Sequence, residues 1–163
     1  MSKSPVNLDN IYANNVGTFR KITNTVLPVN YPEKFFNEQF DDKYKGTFFG
    51  QLGYFGEVAV GGIRAELLAN KNGGVKPAGV YVQVLAVLEA YRGKGIGSKL
   101  LKYVEEQCKT HFQHKLFVHV AVDNKEGLEW YKGHGFEVEG DELKDYYKDT
   151  TGSPDAYVLV KQT

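Results

Sequence analysis

Cysteine is almost absent from the 163-residue chain, with Cys108 the only one. A lone thiol cannot form an internal disulfide, which excludes a disulfide-stapled scaffold and suits a reducing compartment. An excess of either charge is also missing, since 20 Lys and Arg balance 20 Asp and Glu. That balance removes the bulk electrostatic signature of a nucleic-acid-binding protein, so no direct nucleic-acid contact is expected. No apolar run is long enough to span a bilayer, and Met1 to Pro5 lack the apolar stretch of a secretory signal. The expectation is a cytoplasmic protein, with the nucleus as a second compartment and no membrane contact. Repeats, linkers and low-complexity segments are lacking too, so residues 1–163 read as one domain with room for a sizeable core. His111 and His114 form a His-x-x-His pair without further ligands at metal spacing, and no metal site is expected.

What is present is a mixture of strand and helix patterns. Val6 to Tyr12 alternates apolar and polar residues as a strand does. Asn14 or Asn15 can cap a helix running to Val26, with Val16, Phe19, Ile22 and Val26 at helical spacing. Pro32 can open a short helix towards Phe40. Thr47 to Tyr54 and Val58 to Leu68 read as strands joined by a tight turn at Phe55-Gly56-Glu57. Asn70 to Pro77 reads as a loop, and Gly79 to Val87 as a central buried strand. Gly93 to Gly97 forms a turn before a helix from Ser98 to Cys108. Leu116 to Val122 is a strand, and a helix from Asn124 to His134 is closed by Gly135. Phe136 to Glu139 and Ala156 to Lys161 finish the sheet. The class is α/β (α+β), with a central mixed sheet and βα crossovers in the second half.

The most informative stretch runs from Val84 to Leu101. A buried strand enters a glycine-rich turn that opens directly into an amphipathic helix. Unpaired backbone N–H groups and the helix dipole then converge on one point, an arrangement that favours an anion such as a pyrophosphate. Gly93, Gly95 and Gly97 permit close approach, and Arg92 and Lys94 add positive charge. The spacing fits neither the ATP-binding P-loop nor the dinucleotide fingerprint Gly-x-Gly-x-x-Gly. It leaves Arg-x-x-Gly-x-Gly, beginning at Arg92.

This pattern resembles the acetyl-CoA signature of the GCN5-related N-acetyltransferase (GNAT) superfamily. The strand before it matches that family's splayed strand, and Asn124 to Phe136 matches its Asn-x-x-Ala-x-x-x-Tyr-x-x-x-Gly-Phe segment, with Gly127 at the alanine. The GNAT fold so implied has a mixed, mostly antiparallel sheet with a splayed strand pair, flanked by helices. Leu27-Pro28-Val29-Asn30-Tyr31, Tyr81 to Leu85, Leu116 to Val120 and Tyr146-Tyr147 together resemble the catalytic subunits of NatE-type N-terminal acetyltransferases. Relatives usually carry phenylalanine where Leu27 stands.

The resemblance implies acetyl-CoA as cosubstrate, with Arg92, Gly93, Lys94, Gly95, Ile96 and Gly97 at its pyrophosphate. It places Leu85 and Val87 along the pantetheine arm, and Asn124 and Tyr131 beside the thioester. Tyr81 and His119 become the catalytic pair. Leu27, Pro28, Val29, Tyr31, Gln83, Tyr146 and Tyr147 enclose the first residues of a peptide or nascent-chain N-terminus. It also implies docking on the subunits of the larger NatA complex at the ribosome.

The chemistry is consistent with these roles. An amine must lose a proton as it attacks a thioester, and the departing thiolate must regain one. An α-amine, with a pKa of about 8, is far more often neutral near pH 7 than a lysine, so a modest base such as an imidazole suffices. Tyr81 is a poor base as a neutral phenol; it is expected to orient a water, or to act as base only with a lowered pKa. Tyr131 suits hydrogen-bond donation to the sulfur. The largely aromatic and aliphatic acceptor wall favours Met followed by a hydrophobic residue. Two alternatives stay open: a GNAT enzyme for lysines or small amines, and a non-catalytic NatA-associated subunit.

Overall fold

A computed structural model of the chain describes residues 5–27, 31–68, 78–147, 150 and 152–163. The predicted loop Asn70 to Pro77 lies outside the described residues, as do Pro28 and Val29. Among the described residues seven strands form one sheet in the order β1-β2-β3-β4-β5-β7-β6. They are β1 (Val6–Asn10), β2 (Phe48–Phe55), β3 (Val58–Leu68), β4 (Gly79–Val87), β5 (Lys115–Ala121), β6 (Glu137–Val138) and β7 (Ala156–Gln162). Four α-helices among the described residues accompany them: α1 (Val16–Val26), α2 (Glu33–Asn37), α3 (Ile96–Thr110) and α4 (Lys125–Gly133). All strand pairs are antiparallel except β4 with β5.

Two cores sandwich the sheet. On one face Ile96, Leu100, Leu101, Val104 and Cys108 of α3 meet Val60, Val80, Val82, Leu116, Val118 and Leu159. On the other, Phe19 and Ile22 of α1 and Phe36 of α2 meet Leu52, Val84 and Ala86. The second contact depends on Gly62, because a Cβ there would come within 2.4 Å of the Phe19 ring. The β2–β3 hairpin turns through Gly56, whose φ of +62° suits the first position of a two-residue turn.

Sequence and structure differ at several ends. The first strand stops at Asn10 rather than Tyr12, because Asn15 accepts from the Tyr12 N–H through Oδ1 at 2.6 Å and donates to the Asn10 carbonyl at 3.1 Å. Those bonds fold the chain into a turn before α1, and Asn15 makes no side-chain cap within the helix. Helix α3 begins at Ile96 rather than Ser98, so the last two residues of the predicted turn are its first helical residues. The strand predicted over Phe136 to Glu139 shortens to Glu137–Val138, and Phe136 turns into the core at 2% exposure.

The feature that positions the site is the way β4 and β5 part. They pair at Val80↔Leu116, Tyr81↔Phe117 and Val82↔Val118 only, while β4 continues to Val87 and β5 to Ala121. The register of β4 on β3 also jumps there, from Ala65↔Val82 to Arg64↔Val84, leaving Gln83 as the extra residue of a β-bulge. A bulge exchanges the faces taken by successive side chains. Val80 and Val82 accordingly enter the α3 core, whereas Val84 and Ala86 enter the α1 core. From Gln83 onward β4 has β3 on one side and a cleft on the other.

Candidate active site

At the wide end of the cleft, β4 runs through a short turn, Glu89–Tyr91, into Arg92 and the glycines. Gly93 and Gly95 adopt φ of +80° and +86°, the left-handed region that glycine enters without penalty. Gly95 is the N-cap of α3, and the first internal bond of the helix runs from Lys99 N–H to the Gly95 carbonyl. No side chain caps this end and no acidic residue lies in its first turn, so the first N–H groups, those of Ile96, Gly97 and Ser98, have no acceptor within the helix, the arrangement that suits an anion. Arg92 donates through Nε to the Val87 carbonyl at 3.1 Å, tying the turn to the strand end. That bond engages one of the backbone groups predicted for the pantetheine arm. The Lys94 ammonium sits 5.1 Å from the Phe55 ring centroid.

At the narrow end the site is aromatic. Because Leu116, Val118 and Val120 enter the α3 core, Phe117 and His119 face the opposite side, together with Tyr81. The Tyr81 ring stacks on Phe117 at 4.6 Å and 14°, and lies 6.2 Å from His119 at 18°. His119 in turn stacks on Tyr146 at 4.3 Å and 9°. Tyr147 donates its hydroxyl to the His119 carbonyl at 3.2 Å. From the α1–α2 side Tyr31 donates to the Gln83 carbonyl at 3.5 Å. The carbonyl at the bulge is thus met by a residue of the predicted acceptor loop.

Burial pushes the Tyr31 and Tyr81 phenols up to about 12, assisted in Tyr31 by Tyr146 and in Tyr81 by Glu139 and then Tyr146. Burial also raises Tyr131, Tyr146 and Tyr147. The condition under which Tyr81 could serve as base, a lowered pKa, is therefore reversed. With Tyr81 buried against Phe117 the neutral phenol is favoured, and Tyr81 is suited to holding a water or a carbonyl by hydrogen bonding. Tyr131, edge-on to Trp130 at 5.0 Å and to Phe136 at 5.3 Å, is likewise a protonated donor. Asn124 caps α4, its Oδ1 accepting from the Gly127 N–H at 3.0 Å.

Residues 16–136 match the acetyltransferase (GNAT) family. The chain belongs to that family. N-alpha-acetyltransferase 50 of Danio rerio is 28% identical over 160 residues, covering 98% of this chain and 89% of that protein. An N-alpha-acetyltransferase of Sulfurisphaera tokodaii is 33% identical over 147 residues, covering 86% and 83%. The solved structure of Arabidopsis thaliana Naa50 in complex with the bisubstrate analogue CoA-Ac-MVNAL superposes with a TM-score of 0.79 at 31% identity, covering 98% of this chain and 99% of that one.

In this GNAT chain the fold collects residues far apart in sequence. Tyr31, Gln83, Tyr81, His119, Tyr146 and Tyr147 come together around the bulge, while Arg92 to Gly97 form the turn at the other end. Leu27, half-buried, packs against the α1 core. Leu85 and Val87 lie on the edge of β4 that β5 leaves. Among the described residues no cluster of His, Cys, Asp and Glu is placed to hold a metal ion; His111 directs Nδ1 to the Gln107 carbonyl at 2.9 Å and lies against Phe49.

Three features escaped the sequence reading. Glu139 brings a carboxylate's influence to Tyr81 in a wall expected to be apolar. His134 contacts the Oγ of Ser98, in the first turn of α3, at 2.9 Å through Nε2, and its Nδ1 lies 2.7 Å from the Trp130 carbonyl. Arg64 is completely buried in β3 and ion-paired with Glu38. A signal existed for Arg64, a charge flanked by Ile63 and Ala65 in a strand pattern, but nothing nearby in sequence named its partner.

Proposed function

We propose that this protein is an acetyl-CoA-dependent N-α-acetyltransferase acting on protein N-termini that begin with Met followed by a hydrophobic residue. The observation that carries the reading is the β4–β5 cleft, with an uncapped helix N-terminus at one end and a stacked tyrosine–histidine cluster at the other. The CoA pyrophosphate would lie against the N–H groups at the start of α3, and the acetyl-bearing arm would follow the edge of β4 that β5 abandons. A strand edge offers alternating N–H and C=O groups, which suit an arm containing amides. The peptide would enter from the side of Tyr31, Tyr146 and Tyr147.

The chemistry then requires little from the protein. A neutral α-amine attacks the thioester carbonyl carbon, the C–S bond breaks, and the amine proton leaves while the thiolate gains one. His119, with a water held by Tyr81, removes the amine proton. Tyr131 donates to the sulfur. The aromatic character of the cleft supports a hydrophobic first residue, and the peptide in the Arabidopsis complex, MVNAL, begins with Met-Val.

Acetyl transfer from labelled acetyl-CoA to peptides beginning Met-Leu, Met-Lys and Ser-Glu, and to N-blocked Met-Leu carrying an internal lysine, tests the reading. Strong labelling of free Met-Leu alone is expected. Labelling of the blocked peptide would move the acceptor to lysine. No labelling, with CoA still bound, would favour a small-amine acceptor or a docking subunit of a NatA-type assembly.

A further inference from the structure

Arg64 is the only charged side chain in the buried core of the described residues, at 0% exposure. Its guanidinium lies between two rings, 3.8 Å from the centroid of Phe35 and 4.2 Å from that of Phe48. Nη1 donates to the Phe35 carbonyl and Nη2 to the Glu38 carboxylate, while Nε is buried without a partner. A core position of this kind is ordinarily served as well or better by an apolar side chain of similar volume. Stability alone therefore does not account for it.

The partners of Arg64 show what it does. Phe35 and Glu38 belong to the segment that follows Tyr31 and contains α2, a helix of five residues. A helix so short cannot hold its own conformation or position. Phe35 also stacks on Tyr31, at 4.6 Å and 30°. Tyr31 reaches the Gln83 carbonyl at the bulge of β4, next to Val84, which pairs with Arg64 across the sheet. The contacts close a ring: Arg64 to Phe35, Phe35 to Tyr31, Tyr31 to Gln83, and back through the strand pair.

We propose that Arg64, with Glu38, is a positioning pair that fixes the segment 31–40 onto the sheet and so sets Tyr31 against the acceptor end of the cleft. The proposal rests on the acceptor reading given above. Arginine is required because only a planar fork bridges a carbonyl and a carboxylate while stacked between two rings; a lysine keeps the charge and loses both geometries.

The test compares Arg64→Met, Arg64→Lys and Glu38→Gln with the parent chain in three measurements: peptide kinetics, acetyl-CoA affinity by calorimetry, and amide hydrogen exchange. In Arg64→Met the KM for a Met-Leu peptide should rise about tenfold, with kcat and acetyl-CoA affinity within about twofold of the parent. Exchange should quicken in peptides covering residues 31–40 and stay unchanged in α3. Arg64→Lys should not restore KM, and Glu38→Gln should show the same split at smaller size. An unchanged KM in a folded Arg64→Met protein would overturn the proposal. So would parallel loss of kcat and acetyl-CoA affinity with faster exchange throughout the sheet, the mark of a purely structural residue. If Arg64→Met does not fold, Glu38→Gln decides the same comparison. A parent chain that acetylates no peptide refutes the acceptor reading instead, and the exchange pattern then decides whether the pair holds the segment.

Discussion

The two ends of the β4–β5 cleft are made of different material. The helix end is main chain: two left-handed glycines and the first N–H groups of α3, with Arg92 closing the turn on the Val87 carbonyl. The acceptor end is side chains, Tyr31, Tyr81, His119, Tyr146 and Tyr147, contributed by four separate stretches of chain. A main-chain site depends on backbone conformation and is indifferent to most side-chain chemistry. A side-chain site depends on distant segments staying in place, which is why the second end needs a buried tie such as Arg64 and the first does not.

The sharpest way to break the contrast is at Gly95. Nothing lies within 4 Å of the position a Cβ would take there, but φ is +86°. The harm of a substitution thus comes from backbone strain and from any group bound in front of the helix. The left-handed conformation costs a non-glycine residue about 1–2 kcal/mol, and a β-branched one is an outlier there. Gly95→Val should lower kcat/KM about a hundredfold or more through lost acetyl-CoA binding, whereas Gly95→Asn, which tolerates this region, should lose about tenfold or less. Calorimetric CoA titration beside turnover separates the two; near-parent turnover in Gly95→Val would contradict the main-chain account.

At the other end the effects should fall on turnover rather than on CoA. Tyr81→Phe and His119→Ala should each lower kcat by about a hundredfold, the usual scale for a positioned proton-transfer group, with CoA affinity within about twofold. The sign of the Tyr81 shift adds a pH test. An acid whose pKa rises from 10 to about 12 is neutral throughout the assay range, so it does not titrate in a pH–rate profile. Tyr81→Phe should lower the height of the rising limb near neutral pH without moving its midpoint. A limb that moves in the phenylalanine variant would return Tyr81 to the role of base.

The same contrast explains what was legible in the sequence. The helix end is contiguous, and its glycine spacing encodes a backbone conformation directly, so Arg92 to Gly97 could be read without the fold. Only the start of α3 was misplaced, because glycines at positions 95 and 97 hide the helix boundary that lies between them. The sheet was legible wherever alternation or β-branching was strong, and Gly79–Val87 was read to the residue. The bulge at Gln83 was not, since one polar residue in a strand of otherwise largely apolar residues does not by itself mark a register jump, and with it went the exchange of faces that sends Val84 and Ala86 to the α1 core. The pairing of Tyr81 with His119 came from family resemblance, since alternation gives each residue its face but does not say that β4 and β5 are neighbours. Arg64 with Glu38, and Ser98 with His134, join residues 26 and 36 positions apart, a separation over which no local pattern operates.

Gly127 should give the smallest effect and probes the joint between the two ends. As the third residue of α4 it occupies a helical position where alanine is favoured over glycine by about 1 kcal/mol. Its N–H, however, is capped by Asn124 Oδ1, and a Cβ would meet Asn124 Nδ2 at 2.5 Å and Cγ at 2.9 Å. The amide must then turn away, and a lost N-cap costs about 1 kcal/mol. The two contributions oppose each other, so Gly127→Ala should change stability by less than about 0.5 kcal/mol and Tm by under about 2 °C. If Asn124 also serves the thioester, its release from the cap should change the KM for acetyl-CoA by about twofold while the peptide KM stays constant. A Tm rise of several degrees would mean the cap contributes little. A shift in peptide KM alone would place Asn124 with the side-chain end of the cleft instead of with the main-chain end.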